Sequence, residues 1–141
     1  MRTIATLGGI GRLPRLPGTA ASAVGAAIFW LLSPHLSWQI AGCVVAAALG
    51  FWSAGPTARA MGVKDPPSVV IDEVAGMMVG LVALPAGWRT YLAGFLIFRV
   101  LDICKPWPIH RLEKISGSAG IMADDLLAGL LTNLLLRLTG L

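Results

Sequence analysis

Charge is scarce in this chain: 13% of its 141 residues are Asp, Glu, Lys or Arg, against 56% that are hydrophobic. A soluble domain carries about 25% charged residues, so an ordinary water-soluble fold is a poor fit, and a mean hydropathy of +0.77 points to the membrane class. Cysteine is nearly absent. Cys43 sits in an apolar run and Cys104 near Asp102, and the N-terminal residues before Gly8 are too few for a cleavable secretory signal, so two reduced thiols are expected rather than a disulfide framework. Only two histidines occur, His35 and His110, which leaves a nucleophile–histidine–acid triad and a His-rich zinc site without material. A cysteine phosphatase would need Arg six residues after its nucleophile; His110 follows Cys104 at that spacing and Leu49 follows Cys43. No linker or charge run divides the chain, so residues 1–141 read as one domain. No feature specifies an oligomer.

The basic residues give a net charge of +4 and a pI near 9.7, yet they are scattered and lack the stripe and stacking aromatics of a nucleic-acid face. An anionic lipid surface is the better partner. From Leu16 to Ala58 no charged residue occurs, enough for two passes of about 20 residues. After a Gly/Pro-rich N-terminus through Pro17, apolar segments run over Thr19–Leu32, Leu36–Trp52, Ser68–Leu84, Arg89–Ile103 and Met122–Leu141, separated by proline and glycine breakers. The expected fold is all-α, a small integral-membrane bundle of about four to five helices. Several segments are shorter than a full pass, which implies tilt or partial embedding. Gly76 and Gly80 form a small-xxx-small pair suited to close helix packing.

Lys and Arg prefer cytoplasmic loops. Arg2, Arg12 and Arg15 precede the first segment, Arg59 and Lys64 lie between the second and third, and Lys105, Arg111 and Lys114 follow the fourth. With a cytoplasmic N-terminus and alternating passes, all three groups lie on one face. Asp72-Glu73, Asp102 and Asp124-Asp125, five of the seven acids, fall on that same face.

Carboxylates at the edge of apolar segments are costly unless they hold a cation or pair with one. Hard oxygen donors without His or Cys favour Mg²⁺ or Mn²⁺. Adjacent helical residues project about 100° apart, so Asp72 and Glu73 are expected to face different neighbours, as are Asp124 and Asp125, with the site assembled from several helices. Arg99, Asp102 and Lys105 lie near one helix face, and two cations beside a metal-binding acid suit a phosphate. Trp107, beside the break at Pro106, reads as an interfacial anchor. Gly117 to Gly120 leads into the last helix, whose first turn is expected to carry the two aspartates. The glycine-rich N-terminus, with Arg12, Arg15 and the Thr19 hydroxyl, is a weaker anion-binding candidate that does not match the P-loop pattern. A divalent-cation transporter would also place acids among apolar helices, but near mid-membrane rather than at segment ends beside basic residues.

Four stretches taken together resemble the phosphatidylglycerophosphatase A family: Pro17-Gly18-Thr19, Val70 through Gly76, Phe98 through Ile109, and Gly120 through Gly129. The departures are Ala21 and Ser118, where the family often has Gly, and Leu101, where it often has Phe; none removes a charge. The resemblance implies a Mg²⁺-dependent bacterial inner-membrane enzyme, multi-pass, with its site on the cytoplasmic face. Its substrate would be phosphatidylglycerophosphate, hydrolysed to phosphatidylglycerol and phosphate. By matching position the functional set would be Asp72, Glu73, Arg99, Asp102, Lys105, Asp124 and Asp125, with Thr19 added. Asp72, Asp102 and one or both of Asp124 and Asp125 would hold Mg²⁺ directly or through water, Glu73 would be a further ligand or the base, and Arg99, Lys105 and Thr19 would bind phosphate. A covalent aspartyl-phosphate stays open.

Overall fold

Proline and glycine set most of the helix limits. In the computed structural model, which describes residues 1–112 and 114–140, the order is α1 (Arg2–Ala5), a 3-10 segment (Leu7–Arg12), α2 (Pro17–Leu32), α3 (Leu36–Met61), α4 (Ile71–Leu81), α5 (Trp88–Cys104), α6 (Ile109–Leu112) and α7 (Ser118–Thr139). Pro17 opens α2, where its missing N–H costs nothing. The αL glycines Gly62 and Gly140 close α3 and α7. No strand occurs among the described residues.

The centre of the bundle is its shortest main helix. Nine of the eleven residues of α4 are buried, and α2, α3, α5 and α7 all pack against it. Glycines allow the closest approach. A Cβ on Gly76 would stand 2.5 Å from the Asp125 carbonyl oxygen, and one on Gly129 would overlap the Gly76 carbonyl, so α4 and α7 touch backbone to backbone. Gly76 and Gly80 therefore serve packing, as their spacing predicted. That contact also fixes where Asp125 stands relative to the start of α4.

Several boundaries differ from expectation, α4 opening at Ile71 rather than Ser68 among them. Helix α3 continues past Trp52, through Pro56, to Met61. Pro56 cannot donate to Trp52, but the neighbouring Gly55 N–H donates to Ser118 Oγ at 2.8 Å, tying this turn of α3 to α7. Helix α4 ends at Leu81 because Val82 is extended (φ −59°, ψ 134°) and Ala83 adopts φ +55°. Helix α7 begins at Ser118, four residues early, after Gly117 turns the chain at φ +77°; the expected last residue, Leu141, lies outside the described residues. Asp124 and Asp125 consequently sit about two turns into α7, not in its first turn. The N-terminus is also more ordered than a plain Gly/Pro stretch: Val70 N–H donates to Ala5 carbonyl at 2.9 Å, strapping α1 across the start of α4.

Helices α3, at 26 residues, and α7, at 22, are long and apolar enough to cross a membrane, while α2 is a shorter apolar helix. At 11 residues, α4 is about 16 Å long and falls well short of a bilayer. Outward faces are greasy: Trp38, Val45 and Trp52 on α3, Leu92, Leu96 and Val100 on α5, and Leu130, Leu134 and Leu138 on α7 are exposed. An apolar belt of this extent is anomalous in water and ordinary in lipid, so the bundle is consistent with a small membrane protein.

The C-terminal end of α4 is closed by side chains from its neighbours. Asn133 Nδ2 donates to the carbonyls of Gly80 at 3.2 Å and Val82 at 2.8 Å. Arg137 donates from Nε to Asn133 Oδ1 at 2.8 Å and from Nη2 to Ala83 carbonyl at 3.1 Å. From α3, Gln39 Oε1 accepts the Ala83 N–H at 2.9 Å and Nε2 reaches Ser33 carbonyl at 2.9 Å. Carbonyls that the helix leaves unsatisfied are thus satisfied in an apolar surrounding.

Candidate metal centre

The opposite end of α4 carries Asp72 and Glu73 in its first turn, where the helix dipole favours carboxylates. Asp72 is buried and Glu73 half-buried. One oxygen from each, together with one from Asp125 of α7, lie mutually within 4.8 Å. Asp72 and Glu73 therefore do not face separate neighbours as expected. Side chains lean toward the N-terminus of a helix, and in its first turn no preceding turn stands in the way, so both meet over the helix end.

The second acidic pair diverges as expected. Asp125 joins the cluster, whereas Asp124 Oδ2 accepts from Lys105 Nζ at 2.6 Å and Oδ1 accepts the Asp125 N–H at 3.0 Å. Asp102 is ion-paired with Arg99 one turn earlier on α5, and Arg99 Nη1 also reaches Ser22 Oγ of α2 at 3.4 Å. Ser22 in turn donates to Gly18 carbonyl at 2.8 Å. All five acids line one cavity of about 140 Å³, with Lys105 and Asp65. The predicted carboxylates are thus brought together from α4, α5 and α7.

Thr19 is half-buried in the first turn of α2 and does not line this cavity. Its neighbour Gly18 does the closer work: a Cβ there would run into the Glu73 carboxylate and lie 3.2 Å from Arg99 Nη1. Gly18, Ser22 and Asp65 are site residues that the sequence reading missed. The Pro17-Gly18-Thr19 stretch was visible, but weight fell on the hydroxyl. Asp65, a sixth acid a few residues before Asp72, stands beside Pro66 and Pro67, whose local signal is that of a loop. His110 is exposed on α6 and lines none of the cavity.

Arg99 pairs with Asp102 and Lys105 with Asp124, while Asp72 Oδ1 and Glu73 Oε2 are buried with no hydrogen-bond partner among the described residues. Leaving one buried acceptor unsatisfied costs about 1–3 kcal/mol, more when it is charged. Crowded carboxylates relieve their repulsion by binding a cation or a proton. The donor set is all oxygen, with no His or Cys, and it offers few ligands from protein, so a hard divalent ion that keeps several waters fits it.

Comparison with known proteins gives the family. The model of the family Phosphatidylglycerophosphatase A matches residues 3–139. The chain is similar to Phosphatidylglycerophosphatase A of Escherichia coli (strain K12), 43% identical over 128 residues covering 88% of this chain and 74% of that protein. It is likewise similar to Phosphatidylglycerophosphatase A of Haemophilus influenzae, 37% identical over 126 residues, 86% of this chain and 77% of the relative. A Bacteroides thetaiotaomicron protein named Putative phosphatidylinositol-3-phosphatase is 37% identical over 137 residues, 91% and 86% of the two chains. No solved structure matches. With a family model spanning nearly its whole length and a pocket of buried acids flanked by Arg99 and Lys105, the chain belongs to the phosphatidylglycerophosphatase A family.

Proposed function

We propose that this chain hydrolyses the terminal phosphomonoester of phosphatidylglycerophosphate, with Mg²⁺ held by Asp72, Glu73 and Asp125. The observation that carries the reading is the convergence of these three carboxylates, two of them with buried oxygens that have no donor among the described residues. When bound, a divalent ion neutralises phosphate oxygens and acidifies a water. Asp102 and Asp124, expected to hold the metal directly or through water, are placed to hold cations beside the cavity, Asp102 pairing with Arg99 and Asp124 with the cavity-lining Lys105. Arginine has five N–H donors and lysine three, so each cation can keep its carboxylate and still donate to a phosphate oxygen.

Phosphoryl transfer asks mainly for positioning and charge neutralisation. Glu73 Oε2, without a donor, is the acceptor that takes a proton from the attacking water. The water oxygen bonds to phosphorus, the bond to the glycerol oxygen breaks, and that oxygen leaves as a hydroxyl with a proton from solvent. Burial of Asp72, Asp124 and Asp125 limits competing water. The placement we favour is a multi-pass protein of the bacterial inner membrane with this cavity at the cytoplasmic boundary. Support comes from loop charge: Lys105 reaches the acids directly, and Arg12, Arg15 and Lys64 lie on the flanking segments. The acyl chains would lie in lipid against the exposed apolar faces.

The test is phosphate release by purified protein, with and without Mg²⁺, from phosphatidylglycerophosphate and, in parallel, from phosphatidylinositol 3-phosphate. Turnover of the first lipid that needs the metal is expected; turnover of the second alone would reassign the headgroup. Mg²⁺ should also raise the thermal midpoint of the wild-type protein and not that of Asp72→Asn. Equal shifts in both would remove Asp72 from the metal site.

A further inference from the structure

The carboxylate cavity does not stand alone. Asp65 and Asp124 also line a second cavity of about 230 Å³, walled further by Lys64, Ile115 and Gly117. Lys64 and Gly117 in turn line a third, of about 470 Å³, together with Arg59, Gly62 and Val63. Each shares lining residues with the next, and the balance of charge shifts along them: five acids and Asp65 with Lys105 in the first, Arg59 and Lys64 without an acid in the third.

Arg59 stands in the last turn of α3, and no hydrogen bond or ion pair engages its guanidinium among the described residues. The wall facing it is bare backbone. Gly117 has φ +77° and ψ −158°, a conformation essentially reserved for glycine, and a Cβ built there would lie 4.0 Å from Arg59 Nη1. The spacing between Arg59 and the acids is held by a tether, because the Gly55 N–H on α3 bonds Ser118 Oγ at the start of α7. Asp124 lies on the same helix α7.

A phosphoglycerol lipid carries two anionic groups across one glycerol bridge, the monoester to be cut and the diester that stays with the lipid. We propose that Arg59, beside Lys64, binds the phosphodiester of the substrate and so sets the register that places the monoester over Asp72, Glu73 and Asp125. This rests on the hydrolase reading above and adds to it the element that recognises the retained half of the headgroup. A guanidinium matches phosphate oxygens bidentately, and the glycerol bridge would pass the Gly117 backbone between the two anion sites.

The experiment measures initial rates on phosphatidylglycerophosphate in mixed micelles, with two inhibitors: phosphatidylglycerol, which carries only the diester, and inorganic phosphate, which mimics only the group released. Arg59→Gln should raise KM about tenfold and weaken inhibition by phosphatidylglycerol about as much, with kcat and inhibition by inorganic phosphate changed less than about twofold. Arg59→Lys should recover part of the loss. Val63→Glu, an exposed position on the same cavity, should raise KM by repelling the diester, and keeps the test valid if Arg59→Gln does not fold. An unchanged KM in these variants overturns the proposal, as does equal weakening of both inhibitors, which would mean unspecific attraction. Wild-type protein that releases no phosphate at all would instead sink the hydrolase reading.

Discussion

The two ends of α4 solve one problem in opposite ways. Both are polar points inside an apolar bundle, and both are surrounded by α7 and a second helix. At the C-terminal end every donor finds a target: Asn133, Arg137 and Gln39 close the carbonyls of residues 80, 82 and 83 and the N–H of Ala83. At the N-terminal end three acids crowd together and two buried oxygens have no donor among the described residues. Where no ligand is needed, the fold satisfies its own polar groups; an end left open is shaped for something that arrives from outside. The contrast gives each end its own mutational signature.

The largest effect belongs to the open end. Asp125→Asn keeps the shape of the side chain but removes a charge from the centre of the cluster. Phosphate release should fall at least about a thousandfold, roughly 4 kcal/mol of transition-state stabilisation, while the thermal midpoint in detergent holds or rises because repulsion among the carboxylates is reduced. An Asp125→Asn enzyme with a tenth of wild-type turnover would end the contrast. The closed end should answer in reverse. Asn133→Ala takes the side-chain donor from the Gly80 carbonyl, leaves the Val82 carbonyl only its 3.3 Å bond from Arg137 Nη2, and loosens Arg137, so stability should drop by about 2 kcal/mol in a denaturant titration, with kcat in surviving protein within about threefold of wild type. Loss of turnover without loss of stability would show that the closed end is catalytic.

How far this was legible in the sequence differs along the same helix. The acids were found because carboxylates beside hydrocarbon are rare, and the alternation of basic loops put them on one face before any coordinates. The length of α4 was not found. Residues 68–84 form an apolar run, but hydrophobicity reports burial rather than helix, and the run includes residues 69 and 70 before the helix and 82 to 84 after it. The pairing of Asp72 with Glu73 was hidden for a related reason: the angular rule for adjacent residues holds within a helix and relaxes at its first turn. Gly18 and Ser22 depended on where α2 crosses α4, a tertiary fact with no local signature. Asn133 and Arg137 were read simply as parts of a hydrophobic segment, since a side chain that caps another helix looks locally like any polar residue.

A smaller effect should separate shape from charge at the open end. Gly18→Ala adds one methyl against the Glu73 carboxylate and near Arg99; both are side-chain ends that can shift, so folding should suffer by less than about 1 kcal/mol, while turnover should fall about tenfold because Glu73 is displaced from its productive position. Thr19→Val, one residue on, should leave turnover within about twofold, since Thr19 does not line the cavity. The reverse ranking would restore the hydroxyl as the functional group of that stretch.

The smallest effect tests whether closure is shared among the capping side chains or rests on one. Gln39 makes two bonds, from Ser33 carbonyl to the Ala83 N–H, and so links the turn before α3 to the positive-φ residue after α4. Gln39→Leu removes both donor and acceptor while preserving volume, and Ala83 keeps its carbonyl bond to Arg137. The Ala83 N–H loses its partner, and the part-exposed Ser33 carbonyl loses the Gln39 donor but can turn to water, so the loss should be about 1 kcal/mol, below that of Asn133→Ala. In the double variant, the two losses should exceed their sum, because Asn133 and Gln39 grip neighbouring residues of the same turn and each limits how far it can relax when the other is gone. Strict additivity in a double-mutant cycle would mean instead that the end of α4 is rigid in its own right, and that the closure follows the turn rather than holding it.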